Sequence, residues 1–295
     1  MKTALNTNPS IGIIGAGAVG SALARSLKQA GFNLTSVIDK RAAAAKVLCE
    51  ELGIQRCGTD IGQIEKGTQL VLICVPDSEL SKVDAALAKH LPRLQPGMCV
   101  HTSGALPGVI LETLHTLGIP TGSIHPLQTF SSVNSSPSLK GIYFALEGNE
   151  QVVELLTSLV VKLEGNPITL PQGGKALYHA AAVFASNFIP VLLREAVDLL
   201  NSAGIPLHQG REMLKPLMEL SLKNCFGQGE VQALTGPVVR GDAETVQLHL
   251  DALAEQHPNK VILYRILSIK ALELALEKGI SAEQFENVKR VLLDK

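Results

Sequence analysis

SIGIIGAGAVGSALARSLKQAGFNLTSVIDKR, residues 10 to 41, is the stretch that decides the fold. An apolar run opens it, glycines follow at positions 15, 17 and 20, and apolar residues then recur at helical spacing. Gly31 ends the predicted helix, and a second apolar run closes at Asp39. This order predicts a strand, a tight glycine turn, a helix and a second strand, which is the arrangement that holds a dinucleotide.

Each of the three glycines has a separate physical reason. Gly15 permits the sharp turn, Gly17 lets a pyrophosphate approach the backbone, and Gly20 lets the helix pack close to the strand. The amides of the first helical turn then face the anion. An ordinary strand-to-helix turn explains one or two glycines, but not three with an acid about twenty residues further on. The predicted cofactor contacts are Gly15, Gly17, Ala18, Val19, Gly20, Asp39, Lys40, Arg41, Val75, Pro76 and Ser103.

The composition indicates a globular chain of two domains. It has 295 residues, 46% of them apolar, and a formal net charge of −1 with both signs interspersed. Because no basic patch predicts a nucleic-acid or membrane surface, we expect a small-molecule substrate and a second copy of the chain as partners. Five cysteines without regular spacing favour reduced thiols and a cytoplasmic protein.

One apolar segment raises the question of a membrane span. Residues 176–193 lack Asp, Glu, Lys and Arg over about the length that a spanning helix needs. They nonetheless include Tyr178, His179, Ser186, Asn187 and Pro190. We therefore expect a helix that neighbouring helices bury, and no membrane.

Strands and helices alternate up to residue 170, which predicts an α/β domain with a doubly wound, mostly parallel Rossmann sheet. Only helical patterns follow, so we predict a dinucleotide-binding domain over 1–170 and an all-helical substrate and dimerisation domain over 171–295. In such sheets the ligand lies beyond the carboxyl ends of the strands. The residues predicted there are 15–20, 39–41, 75–77, 102–104 and 125–128.

The residues after the second strand leave the choice of cofactor open. Asp39 is placed to accept hydrogen bonds from both ribose hydroxyls of NAD. Lys40 and Arg41 are placed to neutralise the 2′-phosphate of NADP, provided that the Asp39 carboxylate turns away. Alternatively, the two cations only cover the start of a solvent-facing helix. The sequence therefore predicts NADP or NAD.

The candidate catalytic residues are His125, Lys175, His179 and Asn187. Pro126 restricts His125 to extended backbone, so its imidazole lies at a strand end, where it can exchange a proton with a substrate oxygen. Lys175 and His179 share one helix face, with Asn187 roughly 120° round, and we expect Lys175 to bind a carboxylate or donate a proton while His179 orients it. Alternatively, these groups only make structural hydrogen bonds. No spacing supports a metal site, so we expect none.

The chain resembles a family of uncharacterised Rossmann-like oxidoreductases with a helical C-terminal domain of unknown function. The motifs that carry the resemblance are HTSGAL at 101–106, HPLQTF at 125–130, YHAAAVFASNF at 178–188 and LTGPVVRGD at 234–242. The architecture is similar to that of β-hydroxyacid dehydrogenases, pyrroline-5-carboxylate reductase and ketopantoate reductase, and the second domain resembles that of 6-phosphogluconate dehydrogenase.

The resemblance implies roles for particular residues. The loop at His125 is implied to contact substrate, and Lys175 to occupy the place of a catalytic lysine. His179 stands where β-hydroxyacid dehydrogenases have an asparagine. Lys40 stands where the family often has an arginine, and Asp39 where it often has a serine, which favours NADP.

We predict an NAD(P)-dependent oxidoreductase that moves hydride to or from a small carbonyl, hydroxy-acid or imine substrate bound between the domains of a homodimer. One alternative is an NADP-binding regulatory or sensor protein without catalysis. Another is a prephenate-like dehydrogenase, which requires an arginine for the ring carboxylate near His125. The loop itself contains no arginine.

Overall fold

The computed structural model describes residues 8–131 and 137–294. The chain folds as two compact units, Met1–Asn187 and Phe188–Lys295. The first unit extends past the predicted boundary at residue 170. It does so because Lys175, in the helix that follows, is hydrogen-bonded to Ser103 and Ser123 of the sheet region.

The first unit is built on one eight-stranded sheet. Its strands are β1 (Ser10–Ile14), β2 (Asn33–Ile38), β3 (Arg56–Gly58), β4 (Leu70–Ile73), β5 (Met98–His101), β6 (Thr121–Pro126), β7 (Tyr143–Gly148) and β8 (Asn166–Thr169). Their order is β3-β2-β1-β4-β5-β6-β7-β8, and all neighbours are parallel except β6 and β7. This confirms the mostly parallel, doubly wound sheet. The chain order reverses beside β1, where such sheets bind their ligands.

Helices cover the sheet on both faces. They are α1 (Ala18–Gln29), α2 (Ala42–Leu52), α3 (Leu80–Leu94), α4 (Glu112–Thr116), α5 (Glu150–Lys162) and α6 (Lys175–Ala182). All four residues of β4 are buried. Leu70 and Leu72 belong to one hydrophobic cluster, and Val71 and Ile73 to a second cluster on the opposite face. This alternation explains why a central strand needs a continuous apolar run.

The second unit is helical in every described element. Its helices are α7 (Phe188–Ser202), α8 (Leu207–Gln228), α9 (Glu230–Ala233), α10 (Ala243–Gln256), α11 (Pro258–Lys278) and α12 (Ala282–Leu293). The buried cluster of this unit includes Val246, Leu272 and Val288, one from each of the last three helices. Asp242 caps α10, because its carboxylate accepts a hydrogen bond from the amide of Thr245 at 3.0 Å.

One described helical stretch, Lys175–Ser202, comprises α6, α7 and the residues between them. It is long and apolar enough to cross a membrane by length and composition, with a mean hydropathy of 1.6. None of its most apolar window is buried within the chain. Leu177 is 80% exposed and Phe184 72%. The expectation that neighbouring helices of the same chain bury this segment is therefore wrong. Apolar content predicted a covered helix, but within the chain only Lys175 of α6 and Val197 of α7 are buried.

Candidate active site

The glycine turn between β1 and α1 has little room for side chains. Gly15 has a φ of +104°, and a Cβ there would lie 2.2 Å from the carbonyl oxygen of Cys74. A Cβ on Gly20 would lie 1.9 Å from the carbonyl oxygen of Gly15. At Gly17, by contrast, no described atom lies within 4 Å of the Cβ position. The chain itself excludes side chains at Gly15 and Gly20, whereas the surface at Gly17 is open to a ligand.

The N-terminus of α1 is suited to an anion. Gly17 is its N-cap and no side chain caps the helix. The first hydrogen bond into the helix runs from the amide of Ser21 to the carbonyl of Gly17, so the preceding amides have no intrahelical acceptor. Free amides at an open helix start fit the pyrophosphate of a dinucleotide.

Asp39, at the end of β2, holds the glycine turn. Its Oδ2 accepts a hydrogen bond from the amide of Ala16 at 2.7 Å, and its Oδ1 accepts one from the amide of Arg41 at 2.8 Å. Burial opposes ionisation of this carboxyl. The bonds from the Arg41 side chain and from the two amides outweigh burial and lower the pKa of Asp39. Both oxygens therefore already have partners inside the chain.

A cavity of about 450 Å³ adjoins the glycine turn on the β2 side. Its lining includes Gly17, Lys40, Arg41 and Val75. The Arg41 side chain is 57% exposed, although it also pairs with Asp39. The complete lining is Ile14, Gly15, Gly17, Ile38, Asp39, Lys40, Arg41, Thr59, Ile61, Cys74, Val75, Pro76, Glu79 and Val83. The position beside the glycine turn fits the adenosine half of a dinucleotide.

A second cavity, of about 290 Å³, shares Val75 with the first. It is lined by Val19, Val75, Asp77, Thr102, Ser103, Gly104, His125, Pro126, Phe130 and His179. Residues from the glycine-turn side and the two histidines thus border one space. The two cavities adjoin at Val75, as the two halves of a dinucleotide require.

Two imidazole nitrogens converge in the second cavity, beside Gly104. A Cβ on Gly104 would lie 2.6 Å from Nδ1 of His179 and 2.8 Å from Nε2 of His125. The ring centroids are 6.0 Å apart. Among the described residues, Nδ1 of His179 is the buried side-chain polar atom that has no hydrogen-bond partner. The two rings therefore pack directly against the backbone of Gly104, which leaves no room for a side chain there, and Nδ1 of His179 is a buried polar atom that the chain itself does not satisfy.

The other side of the His125 ring is held by a tyrosine. The hydroxyl of Tyr178 lies 2.8 Å from Nδ1 of His125. Burial, and secondarily the charges of Lys175 and His179, lower the pKa of His125 to about 4. Burial raises the pKa of Tyr178 to about 12. At neutral pH the imidazole is uncharged and the phenol keeps its proton. When the phenol donates to Nδ1, the ring proton lies on Nε2 and faces Gly104.

Lys175 is buried in the same region as His125 and Tyr178. Its Nζ donates to the carbonyl oxygen of Ser103 at 2.5 Å and to the hydroxyl of Ser123 at 2.7 Å. The residue is only 3% exposed. It lines neither of the two cavities described above nor the groove described below. Burial lowers the pKa of Lys175 to about 8, although Glu147 and Asp77 oppose the shift. The amine therefore joins α6 to the loop after β5 and to the middle of β6.

Sequence reasoning expected His179 to orient Lys175, but its Nδ1 faces Gly104 instead. The direct substrate contact predicted for Lys175 stays a prediction. The contacts observed for its amine are those of a positioning residue.

A groove of about 690 Å³ adjoins the second cavity, with which it shares His125, Phe130 and His179. Its lining includes Asn187, which lies in a π-helical turn, Val183–Asn187. A π turn has a wider hydrogen-bond spacing than an α-helix, so the angle expected between Lys175 and Asn187 does not hold beyond Val183. The complete lining is His125, Leu127, Gln128, Thr129, Phe130, Ser131, Tyr178, His179, Ala181, Ala182, Val183, Ala185, Ser186 and Asn187.

Ser103 and His101 shape the loop after β5. The Ser103 hydroxyl accepts hydrogen bonds from the amides of Ala105 and Leu106. Nε2 of His101 donates to the carbonyl of Pro107 at 3.0 Å, and Nδ1 accepts from the amide of Ser103. His101 is thus a loop-holding residue. Within residues 8–131 and 137–294, no three His, Cys, Asp or Glu side chains form a metal-binding group.

Sequence reasoning gave no role to Ser123 or Tyr178, and it named Gly104 only as a strand-end residue. Tyr178 had a signal, because it lies one turn after Lys175 and next to His179. No sequence feature pointed to Ser123, since a serine in a strand can form many kinds of hydrogen bond. The importance of Gly104 depends on two distant histidines, which only the folded chain brings together.

Comparison with known proteins places two domain models on the chain. A Rossmann-like domain matches residues 3–126, and the domain of unknown function DUF2520 matches residues 142–271. No curated protein matches. These matches confirm the expected combination of a Rossmann-like domain and a helical domain of unknown function.

Solved structures with a similar fold include three of interest. A Bacteroides fragilis protein assigned as an NADP oxidoreductase is 24% identical, with a TM-score of 0.74 over 90% of this chain and 98% of that one. Protein TM1727 of Thermotoga maritima is 25% identical, with a TM-score of 0.73 over 92% and 100%. A pyrroline-5-carboxylate reductase of Coxiella burnetii is 16% identical, with a TM-score of 0.56 over 94% and 100%.

Proposed function

We propose that this chain, which carries a Rossmann-like domain followed by a DUF2520 domain, is an NAD(P)-dependent oxidoreductase acting on a small carbonyl, hydroxy-acid or imine compound. The observation that carries the proposal is the convergence of His125 Nε2 and His179 Nδ1 beside Gly104. The cavity in which they meet is also lined by Val19 and Val75, next to the glycine turn. Polar groups beside a nicotinamide site are what hydride transfer to a C=O or C=N bond requires.

NADP is the proposed cofactor. The Asp39 carboxylate is satisfied by the amides of Ala16 and Arg41, so it is less available to ribose hydroxyls than an unpaired acid. The exposed guanidinium of Arg41 and the ammonium of Lys40 border the cavity on the same side. Guanidinium groups bind phosphate well, which favours the 2′-phosphate of NADP. A similar fold is assigned as an NADP oxidoreductase, in agreement with this choice.

When bound, the cofactor gives a hydride to the substrate carbon or takes one from it. In the reducing direction the substrate oxygen becomes negative and needs a proton. We place that oxygen in the cavity of about 290 Å³ that His125 borders, within hydrogen-bond reach of Nε2 of His125. The proton on Nε2 passes to the oxygen while the Tyr178 proton passes to Nδ1, and solvent then reprotonates the phenol. Lys175 fixes α6, which carries Tyr178 and His179.

Cofactor titration and a substrate panel test this proposal. NADPH and NADH are titrated by fluorescence, and absorbance at the NADPH band is followed with aldehydes, ketones, hydroxy acids and cyclic imines. His125→Ala should lower turnover by about 10² to 10⁴ without weakening cofactor binding. His208→Ala, which removes an exposed histidine on α8, should change neither quantity.

Two results would favour other functions. If NADPH binds but the wild-type chain turns over nothing in the panel, the regulatory or sensor alternative gains support. The same holds if His125→Ala keeps the wild-type rate. A prephenate-like dehydrogenase is less well supported, because the lining of the groove contains no arginine.

We also propose that the chain is a homodimer. Met213, Leu217 and Leu220 of α8 are 50%, 61% and 55% exposed, and at about 100° per residue they lie on one face of the helix. Monomers rarely expose so much apolar surface on one element, and a second copy of α8 would cover it. Light scattering should give the mass of a dimer, and Leu217→Asp should produce monomers whereas Leu248→Asp, at an exposed position of α10, should not. A monomeric wild-type chain would refute the proposal.

The cytoplasm is the proposed compartment. All five cysteines are free thiols, as a reducing environment maintains them. Thiol titration of protein purified without reductant should find five reactive groups after unfolding.

A further inference from the structure

The groove beside the two histidines contains no ionic side chain. None of its described lining residues is Asp, Glu, Lys or Arg. Leu127, Phe130 and Val183 supply an apolar surface, and Gln128 and Asn187 supply neutral amides. The described lining therefore has no carboxylate, ammonium or guanidinium group, and it offers an anionic substrate no ion pair with Lys or Arg.

His125 and Lys175 do not supply a cation to the groove either. His125 is neutral because burial lowers its pKa to about 4. The ammonium of Lys175 is directed at the Ser103 carbonyl and the Ser123 hydroxyl, away from the groove lining. Asp77 borders the adjoining cavity with a negative charge. A substrate carboxylate would lose its hydration here without gaining an ion pair, which is unfavourable.

We infer that the substrate is an uncharged ketone, aldehyde or imine whose apolar body lies in this groove and whose C=O or C=N group lies beside His125, which borders both the groove and the adjoining cavity. The inference rests on the proposed function and narrows it by excluding carboxylate substrates such as hydroxy acids. The balance of the reaction is unchanged: the substrate carbon gains a hydride from NADPH, and its oxygen or nitrogen gains the proton that passes through His125.

A matched pair of compounds tests the inference. Levulinate and its methyl ester have the same ketone at the same distance from a carboxylate or an ester. The ester should be reduced by NADPH with a kcat/KM about tenfold or more above that of the acid, equivalent to about 1.4 kcal/mol. Saturation-transfer NMR with the NADP-loaded protein should detect binding of the ester more strongly than that of the acid, independently of turnover.

A charge placed in the groove should reverse the preference. Thr129 is exposed and lines the groove, so Thr129→Arg provides the missing cation. This variant should bind and reduce levulinate better than the ester. Thr116→Arg adds the same charge at the exposed end of α4, outside the groove lining, and should keep the wild-type preference.

The outcomes separate this inference from the proposed function. If the wild-type chain binds or reduces levulinate as well as the ester, the inference is overturned. It is also overturned if neither compound binds, or if folded Thr129→Arg keeps the preference of the wild type. If the ester binds selectively but no hydride is transferred to it or to any compound of the panel, the neutral groove stands and the oxidoreductase proposal falls.

Discussion

Gly104→Ala is the substitution that tests the geometry of the site most directly. It adds one methyl group at a point 2.6 Å from Nδ1 of His179 and 2.8 Å from Nε2 of His125. Gly104 is not among the glycines with positive φ, so alanine can adopt its backbone conformation. Both distances are shorter than non-bonded contacts allow, so the methyl group must push the two rings away from their present positions.

The expected effect follows from what the substrate oxygen loses. One preorganised hydrogen-bond donor at a developing negative oxygen is worth about 10² to 10³ in kcat. Displacing one ring should thus lower kcat by about that factor, and displacing both should lower it further. The NADPH affinity should change little, because Gly104 does not line the cavity beside the glycine turn and Arg41.

The assay is steady-state reduction of the best panel substrate, with NADPH binding measured by fluorescence and folding by thermal unfolding. Gly227→Ala in α8 is the control, since it has ordinary φ and no described atom within 4 Å of its Cβ position. It should keep full activity and gain about 0.5 to 1 kcal/mol of stability. If folded Gly104→Ala binds NADPH and keeps kcat within about tenfold, less than the loss of one hydrogen-bond donor, the substrate oxygen does not depend on the present position of the His125 ring.

Three further substitutions probe the neighbouring groups. Tyr178→Phe removes the hydroxyl beside Nδ1 of His125 and should lower kcat at least about tenfold in steady-state assays; an unchanged kcat would exclude the proton relay. The pKa of Lys175 is about 8 in the folded chain and 10.5 ordinarily, so between these values the unfolded chain binds more protons. In urea unfolding, the free energy of unfolding of the wild type relative to Lys175→Met should therefore rise by up to about 3 kcal/mol as the pH increases from 8 to 10.5. A difference that does not depend on pH would contradict this. Arg41→Ala should weaken NADPH binding by about 10- to 100-fold and leave NADH binding unchanged in fluorescence titrations, whereas equal effects on both cofactors would assign Arg41 to Asp39 alone.

The fold was predictable because its signals are local. The glycine turn, the apolar run of β4 and the cap at Asp242 each lie within a few residues of the element that they specify. The glycine turn depends on a positive φ, the run of β4 on burial of both faces, and the cap on a helix amide that needs an acceptor. All three can be read from neighbouring positions in the sequence. The helices after residue 171 were placed for the same reason, although their packing partners were not.

The site was predictable only in part, because its parts come from distant segments. His125 and His179 were identified one at a time, but their meeting at Gly104 joins the ends of β5 and β6 to α6. The contact between Lys175 and Ser123 is also long-range. The π turn at Val183–Asn187 has no strong sequence signal, since one wider turn differs little in energy from an α-helical one.

The carboxylate of Asp39 has one more consequence. By accepting the amide of Ala16, it ties the end of β2 to the loop that receives the coenzyme, and a buried, charge-assisted bond of this kind restrains the loop before anything binds. The coenzyme thus binds a preorganised loop, and little loop entropy is lost on binding. Its exchange should be governed by diffusion and dissociation, and successive turnovers need no reordering of the loop.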